Sequence, residues 1–277
     1  MADTSGGLRV VLLGAGRVAS QLAVAVVRAG HQLVAVWSRS AASAQVVAGP
    51  AGARALSGPA PDLRPVAAEV YLLCVPDDAA AGVLAAATFA PGALVAHTSG
   101  TLPLALFAAH PTIRGGVFYP LQTFSPGRAL DWRQLPLCLE AADAPGQAML
   151  ERLASSLSGR VLTVSTAERQ QLHVAAVFAC NFTNHLLGIA DALLAQAGLP
   201  ADLLTPLVRE TVDKALEQPP FAVQTGPAIR HDEATLAAHR QALATHPAWQ
   251  DLYERLTASI QQQAVSGGAL AAGGPNI

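Results

Sequence analysis

The sequence predicts an α/β fold, in which an amino-terminal, doubly wound parallel sheet is followed by a mostly α-helical carboxyl-terminal domain. From Leu8 to about Phe118, short β-branched runs alternate with Ala-rich helical stretches, which is the pattern of βαβ units. These strand runs are continuously hydrophobic, as expected for strands covered by helices on both faces. After Gln134 the strand signals become few, and long helical patterns replace them.

The elements follow in a regular order along the chain. Five strands are predicted, at Arg9–Leu13, Leu33–Trp37, Val70–Cys74, Ala93–His97 and Gly116–Phe118. The Gly-, Ala- and Pro-rich stretch Ala48–Pro65 is interpreted as a loop region with room for one more short strand. One further apolar segment, Leu135–Glu140, precedes helices predicted at Thr166–Ala197, Asp202–Glu217, Glu233–Thr245 and Ala248–Gln263.

This order predicts three regions. We expect a nucleotide-binding domain over residues 6–130, a helical domain over residues 131–263 and a disordered Gly- and Ala-rich tail over residues 264–277.

The composition points to a small-molecule partner. Hydrophobic residues make up 52% of the chain and charged residues 13%, which indicates either a buried subunit interface or simply an Ala-rich sequence. A net charge of -2 and a pI near 6.4 argue against binding to nucleic acid or anionic lipid.

The cysteines and the hydropathy pattern predict a cytoplasmic protein. Cys74, Cys138 and Cys180 show neither disulfide nor metal-ligand spacing, so no metal is expected and a reducing compartment fits. No signal peptide is visible, and no apolar stretch reaches about 18 residues without a charge, a proline or a turn signal.

The first predicted strand runs into the sequence GAGRVA, which opens an amphipathic helix. This is the glycine pattern of a Rossmann dinucleotide-binding loop in its proper strand-to-helix context, although a turn without a ligand is the alternative. Gly14 permits the tight turn, and Gly16 lets backbone N–H groups approach a pyrophosphate. We expect Gly14, Ala15, Gly16, Arg17 and Val18 to bind the cofactor.

The end of the second strand predicts which dinucleotide binds. An NAD enzyme places an acid there, on the ribose 2′-hydroxyl, whereas this chain has Trp37-Ser38-Arg39-Ser40. A guanidinium between two hydroxyls suits a 2′-phosphate, so Ser38, Arg39 and Ser40 predict NADP. The alternative is that Arg39 is a solvated loop charge.

Candidate ligand contacts also follow two other predicted strands, Val70–Cys74 and Ala93–His97, at the carboxyl edge of the sheet, where ligands lie. Val75 and Pro76 follow one of them and are expected beside the cofactor, while Asp77 after them is interpreted as the start of a helix. Ser99 and Gly100 follow the other strand, and a hydroxyl and an exposed N–H there could orient the substrate.

Polar residues on the long helix predict the chemistry. His173 and Asn181 lie eight residues apart in an otherwise apolar stretch, so they share nearly one face. A satisfied core histidine is the alternative; functionally, His173 could supply a proton near neutral pH and Asn181 could fix the reacting group. Further along, Asp232 is expected to cap a helix, and Arg230 to pair with a substrate or cofactor anion or with a surface acid.

Together the segments GAGRVA, SRS, CVPD, HTSG, YPLQTF, HVAAVFACNF and TGPAIRHD resemble an uncharacterised bacterial family. That family joins a Rossmann-like NADP-binding domain to a carboxyl-terminal helical domain of unknown function, and the resemblance spans nearly the whole chain. It looks like a branch of the superfamily of 6-phosphogluconate dehydrogenase, ketopantoate reductase and pyrroline-5-carboxylate reductase. The resemblance implies a helical domain of the 6-phosphogluconate dehydrogenase type that joins homodimers.

The resemblance also assigns positions on the long helix. In the β-hydroxyacid dehydrogenases and ketopantoate reductase this helix carries a catalytic Lys with an Asn one turn later, and the reductase has a second Asn. Counting back from Gly198 places His173 at the Lys position, Val177 at the first Asn and Asn181 at the second. A histidine lacks the permanent charge of an ammonium, so the oxoacid chemistry of those enzymes does not transfer directly.

Two more positions depart from the family pattern. Tyr119 stands where the resemblance predicts His, and His231 stands where it predicts Gly. The sequence predicts an NADP-dependent reductase or dehydrogenase of a small polar carbonyl or imine, with His173, Asn181 and Ser99 as catalytic residues and Arg230, Tyr119 and Gly100 binding substrate. The alternative is a non-catalytic NADP-binding sensor or scaffold.

Overall fold

The computed structural model describes residues 6–125, 127–128 and 130–272, with side chains as far as residue 265. Within these residues the strands are β1 (Arg9–Leu13), β2 (Gln32–Ser38), β3 (Arg54–Ser57), β4 (Val70–Leu73), β5 (Leu94–His97), β6 (Arg114–Pro120), β7 (Leu137–Ala141) and β8 (Val161–Thr163). The helices are α1 (Arg17–Arg28), α2 (Ala41–Ala48), α3 (Asp77–Ala86), α4 (Ala144–Leu157), α5 (Thr166–Ala176), α6 (Thr183–Gln196), α7 (Thr205–Glu217), α8 (Glu233–Ala242) and α9 (Pro247–Ala272).

The described strands form one sheet in the order β3-β2-β1-β4-β5-β6-β7-β8. Every pairing is parallel except that of β6 with β7. The chain order reverses between β1 and β4, which is the switch point where ligands bind in doubly wound sheets. The predicted α/β class is confirmed.

Helices cover both faces of the sheet because successive residues of its strands point in opposite directions. Val10 and Leu12 of β1 belong to one buried cluster, which also includes residues of α1 and α4. Val11 and Leu13 belong to a second cluster with residues of α3. All four side chains are fully buried, which explains the continuous hydrophobic runs in the sequence.

The sheet extends further along the chain than the sequence predicted. The further strand is β3, inside the predicted loop region, and β7 and β8 continue the sheet beyond the predicted boundary at residues 130 and 131. Leu137, Cys138 and Leu139 of β7 are buried, since β7 lies between two other strands. The structure divides into two compact units, at residues 1–181 and 182–277, and the predicted domain boundary stays a prediction.

The long helix occupies nearly the predicted range. α5, a π-helical turn at Val177–Phe182 and α6 together run continuously from Thr166 to Gln196. Gly198 follows with a φ of +69°, the left-handed conformation expected of a residue that ends a helix. By length and composition this helix could cross a membrane, unlike the sequence expectation, and none of its most apolar window is buried.

The second compact unit buries few of its own side chains. Among its described residues only Ala228, Leu236 and Leu243 are buried. Asp232 caps α8 as predicted, accepting hydrogen bonds from the backbone N–H and the hydroxyl of Thr235. The predicted disordered tail is helical in α9 as far as Ala272, and residues 273–277 lie outside the described residues.

Candidate active site

The loop between β1 and α1 has the geometry of a phosphate-binding turn. Gly14 has a φ of +117°, and a Cβ atom there would lie 2.2 Å from the carbonyl oxygen of Cys74. Its N–H donates to the carbonyl of Trp37 at 2.7 Å. Strands β1, β2 and β4 therefore meet at this residue, and no side chain fits there.

The start of α1 is open to a ligand. Gly16 is the N-cap residue, and it provides no side-chain hydrogen bond to the free N–H groups of the first turn. A Cβ atom at Gly16 would meet no atom within 4 Å, and Arg17 beside it is exposed. Ala15 and Val18 pack against the core instead. The residues present fit the pyrophosphate of a dinucleotide.

The segment predicted to bind the 2′-phosphate lies at the end of β2. Arg39 is exposed and makes no ion pair or hydrogen bond with any residue in the described part of the chain. Ser40 is the N-cap of α2, and its oxygen accepts a hydrogen bond from the N–H of Ser43 at 3.3 Å. Its hydroxyl proton stays available as a donor, so Ser38, Arg39 and Ser40 fit an anion, and their role stays a prediction.

Val75 and Pro76 follow β4 at the switch point. Leu13 of β1 pairs with Leu73 of β4, which brings Val75 beside Gly14, with its Cγ1 atom 3.1 Å from the position of a Cβ atom on that glycine. Pro76 is the N-cap of α3. Both residues stay predicted cofactor contacts.

Ser99 is hydrogen-bonded within its own loop, and its predicted catalytic role stays a prediction. Its oxygen accepts hydrogen bonds from the backbone N–H groups of Thr101 and Leu102, both at 3.0 Å. Its hydroxyl donates a hydrogen bond to the carboxylate of Asp77 at 2.8 Å. The hydroxyl therefore has no proton left for a substrate, because it shapes the loop that follows β5. Asp77 lies in the first turn of α3 as predicted, but its side chain binds this loop and does not cap the helix.

Gly100 lies against the side chains of His173 and Tyr119. It is buried, and a Cβ atom there would lie 2.6 Å from Nδ1 of His173 and 2.9 Å from Cζ of Tyr119. The two side chains thus rest directly on the backbone of Gly100. Gly100 supports them by having no side chain, and its predicted substrate contact stays a prediction.

Tyr119 and His173 form a pair. The hydroxyl of Tyr119, at the end of β6, lies 3.2 Å from Nδ1 of His173 on α5. Their rings meet edge to face, with centroids 6.2 Å apart. Burial raises the pKa of Tyr119 to about 12, so the phenol stays protonated across the physiological range. The two predicted site residues His173 and Tyr119 are therefore hydrogen-bonded to each other.

The pair opens into a cleft of about 380 Å³ that lies wholly within the first compact unit. Its polar lining residues are Tyr119, Gln122, Thr123, His173, Cys180 and Asn181. Its apolar lining residues are Leu121, Leu172, Ala175, Ala176, Val177 and Ala179. Lys, Arg, Asp and Glu do not occur among these described lining residues.

The π-helical turn contributes to the shape of this cleft. In a regular α-helix, residues eight positions apart are about 80° out of line, because each residue turns the helix by about 100°. Between His173 and Asn181 the helix passes through Val177–Phe182, where hydrogen bonds run from residue i to i+5. The wider turn takes up part of that offset, and both side chains line the cleft as the sequence predicted.

The structure adds Arg169, which the sequence analysis did not identify. This guanidinium is fully buried and forms an ion pair with Glu140 at 2.8 Å. A lone Arg in the first turn of a helix resembles a solvated charge, so the pattern alone gave little reason to select it. The available signal is its position four residues before His173, which places both on one face of α5.

Arg230 lies in the second compact unit, in the segment before α8. It is exposed and makes no ion pair with any other residue that the structure describes. The next residue, His231, has a φ of +52°, which explains why the resemblance predicts Gly at that position. The substrate role of Arg230 stays a prediction.

Known proteins share this architecture. The model of a Rossmann-like domain matches residues 3–121, and the model of a domain of unknown function, DUF2520, matches residues 135–260. A crystal structure from Bacteroides fragilis, described as a "putative NADP oxidoreductase", is 39% identical with a TM-score of 0.82, over 92% of this chain and 98% of that one. No curated protein sequence matches the chain.

More distant structures show the same fold. Protein TM1727 from Thermotoga maritima is 20% identical with a TM-score of 0.67, over 93% of this chain and 99% of that one. A reductive aminase from Aspergillus terreus, in complex with NADPH and ethyl levulinate, is 19% identical with a TM-score of 0.69, over 94% of this chain and 95% of that one. The fold of both domains is therefore shared across their full length.

Proposed function

Because the chain belongs to the family of NADP-dependent oxidoreductases that includes the Bacteroides fragilis protein, we propose that it reduces the C=O or C=N bond of a small substrate with NADPH. The observation that carries this proposal is the Tyr119–His173 pair, which rests on Gly100 and opens into the cleft. Gly100 follows β5, and Gly14 follows β1, so both lie at the carboxyl edge of the sheet.

The cofactor would be held at one end of this edge. Gly14, Gly16 and Arg17 would bind the pyrophosphate, and Arg39 with its flanking hydroxyls would bind the 2′-phosphate. When bound, NADPH supplies the hydride. The protein contributes orientation and the proton that completes the reduction.

His173 is the proposed proton donor. In this assignment Nδ1–H donates to the hydroxyl oxygen of Tyr119, and Nε2 delivers its proton to the oxygen or nitrogen of the reduced bond. The imidazolium then becomes a neutral imidazole, which keeps the Nδ1–H bond to Tyr119 and takes up a new proton from water. Tyr119 stays a neutral phenol throughout, because burial raises its pKa to about 12. Asn181 would hold the reacting group through its amide.

The lining of the cleft indicates the kind of substrate. Half of its described lining is aliphatic, and it offers no Lys or Arg to pair with a carboxylate. A volume of about 380 Å³ suits a small ligand. We therefore assign to this cleft a neutral ketone or imine with an apolar body, rather than an oxoacid. Two structures from Aspergillus terreus support this choice, a reductive aminase in complex with NADPH and ethyl levulinate and an imine reductase in complex with NADPH4 and dibenz[c,e]azepine.

An assay of NADPH oxidation tests the proposal. The protein should turn over with neutral ketones supplied with an amine, or with cyclic imines, and not with 2-oxoacids of equal size. His173→Ala should lower kcat by about 10² to 10⁴ while leaving the Kd for NADPH unchanged. His110→Ala, outside the cleft, is the matched control and should match the wild type. A protein that binds NADPH and turns over none of these compounds would be the sensor or scaffold instead.

We also propose that the chain is a cytoplasmic homodimer formed through the helical unit. Large apolar side chains of that unit are exposed, namely Leu186, Leu187, Leu199, Leu203, Leu207, Val212, Leu216 and Phe221. A second copy of the chain would cover them, as the family resemblance implies, and this supports the interface alternative for the low charge content. The three cysteines are free thiols, which suits the reducing cytoplasm.

The long apolar helix fits an interface better than a membrane. Its first turn is bonded to the sheet, since Thr166 and Arg169 both contact Glu140 of β7. This attachment makes the start of the helix part of the folded first unit. Its exposed apolar surface is therefore assigned to the second copy.

A further inference from the structure

Arg169 makes contacts that join three parts of the first compact unit. Its Nη1 donates to Glu140 of β7 at 2.8 Å, and its Nε donates to the carbonyl of Ser99 at 3.3 Å. Its Nη2 donates to the carbonyl of Leu102. The planar guanidinium thus binds both ends of the loop 99–102 and a carboxylate on a neighbouring strand.

The same region is braced by neighbours of Arg169. Thr166 donates to Glu140 at 2.8 Å, and its oxygen accepts a hydrogen bond from the N–H of Leu104 at 3.2 Å. Gln170 donates to the carbonyl of Thr101 at 2.8 Å. The loop after β5 is therefore fixed against α5 along its length.

Loop 99–102 carries the residue that supports the proposed proton donor. Gly100 lies between the two carbonyls that Arg169 holds, and its backbone touches His173 and Tyr119. His173 is one helical turn beyond Arg169 on α5. A movement of the loop away from α5 would remove the surface on which the imidazole rests.

We propose that Arg169 is a positioning residue for His173: its fork of donors sets the distance between loop 99–102 and α5, and thereby the place of the imidazole in the cleft. The catalytic part of this inference rests on the proposed function. The ion pair with Glu140 has a separate task, which is to compensate the buried charge. The two tasks can be tested separately because they use different nitrogens. Nε and Nη2 hold the loop carbonyls, whereas Nη1 pairs with Glu140.

Two variants make this separation. The double variant Glu140→Leu with Arg169→Met removes both charges and keeps apolar volume, so neither charge is left buried without its partner. It should melt earlier than the wild type, because the carbonyls of Ser99 and Leu102 lose their donors, and it should lose about tenfold to a hundredfold in kcat, because the loop is no longer held. Glu140→Gln keeps the hydrogen-bonded fork and loses the countercharge. It should melt earlier and retain kcat within about twofold, which shows that a loss of stability alone does not lower kcat.

A histidine NMR experiment provides a readout that needs no turnover. The ring signals of His173, assigned with His173→Ala, should shift or broaden in the double variant and stay at their wild-type position in Glu140→Gln. The Kd for NADPH should stay within about twofold in both variants, since neither residue is among those assigned to the cofactor. If the wild type fails to turn over, the proposed function fails while the NMR comparison still tests Arg169.

Three results would overturn the inference. These are a kcat of Glu140→Gln that falls together with its melting temperature, a wild-type kcat in the double variant, and an unshifted His173 signal in the double variant. Arg169→Lys adds an independent check, because an ammonium can pair with Glu140 but lacks the planar fork that reaches both carbonyls. We expect its His173 signal to shift as in the double variant, and a wild-type signal there would also contradict the positioning role.

Discussion

Gly100→Ala tests the packing beneath the proposed proton donor. The new Cβ atom would lie 2.6 Å from Nδ1 of His173, whereas ordinary contact begins at 3.4 Å, so the imidazole must move by 0.8 Å. The φ of Gly100 is outside the left-handed region, so the cost is steric and not conformational. Overpacking of this kind costs about 1–3 kcal/mol in stability. A displacement near 1 Å lowers kcat by about a hundredfold.

The assay compares kcat, the melting temperature and the Kd for NADPH in Gly100→Ala and in a matched glycine variant. Gly82 lies in α3, and a Cβ atom there would meet nothing within 4 Å. Gly82→Ala should therefore gain about 0.5–1 kcal/mol in stability and keep wild-type kcat. NADPH affinity should be unchanged in both. A Gly100→Ala protein with kcat within twofold of the wild type would refute the argument that Gly100 sets the position of His173.

Three further predictions concern other parts of the chain. Arg39→Ala should weaken NADPH about tenfold to a hundredfold while changing NADH little, because a bond to a charged phosphate is lost, and equal weakening of both in a fluorescence titration would contradict the assignment. His231→Gly should raise the free energy of unfolding in urea by up to about 1 kcal/mol, since the φ of +52° suits Gly; a loss would show that the side chain matters more. Burial lowers the pKa of His97 to about 4, so between pH 4 and 6.5 the unfolded chain binds more protons than the folded chain. The free energy of unfolding should therefore fall by roughly 3 kcal/mol as the pH falls through that range. His97→Gln should reduce this pH dependence.

The cofactor loop could be predicted because local backbone sterics determine it. Gly14 has to be a glycine because of its own φ and the carbonyl of Cys74 beside it, and the spacing of the motif encodes that turn. The shared face of His173 and Asn181 follows from helical periodicity, although the π-helical turn that improves their alignment leaves no mark in the pattern.

Residues whose partners are distant in sequence could not be predicted in the same way. Ser99 follows a strand at the ligand edge, as a catalytic hydroxyl would. Its hydroxyl, however, donates a hydrogen bond to Asp77, 22 positions earlier. Arg169 is identified only once the fold brings Glu140, 29 positions earlier, beside it. The extent of the sheet was underestimated for a related reason, since β7 pairs with β6 only after the chain has passed through a long loop.

The scarcity of buried side chains in the helical unit has a consequence for measurement. A unit with only Ala228, Leu236 and Leu243 buried among its described residues owes little of its free energy of folding to a single chain. In the proposed homodimer that free energy would follow mass action, so each tenfold dilution would lower the apparent stability by about 1.4 kcal/mol. Melting temperatures of variants can therefore be compared only at one protein concentration, and the midpoint of a wild-type dilution series is itself a measure of the association.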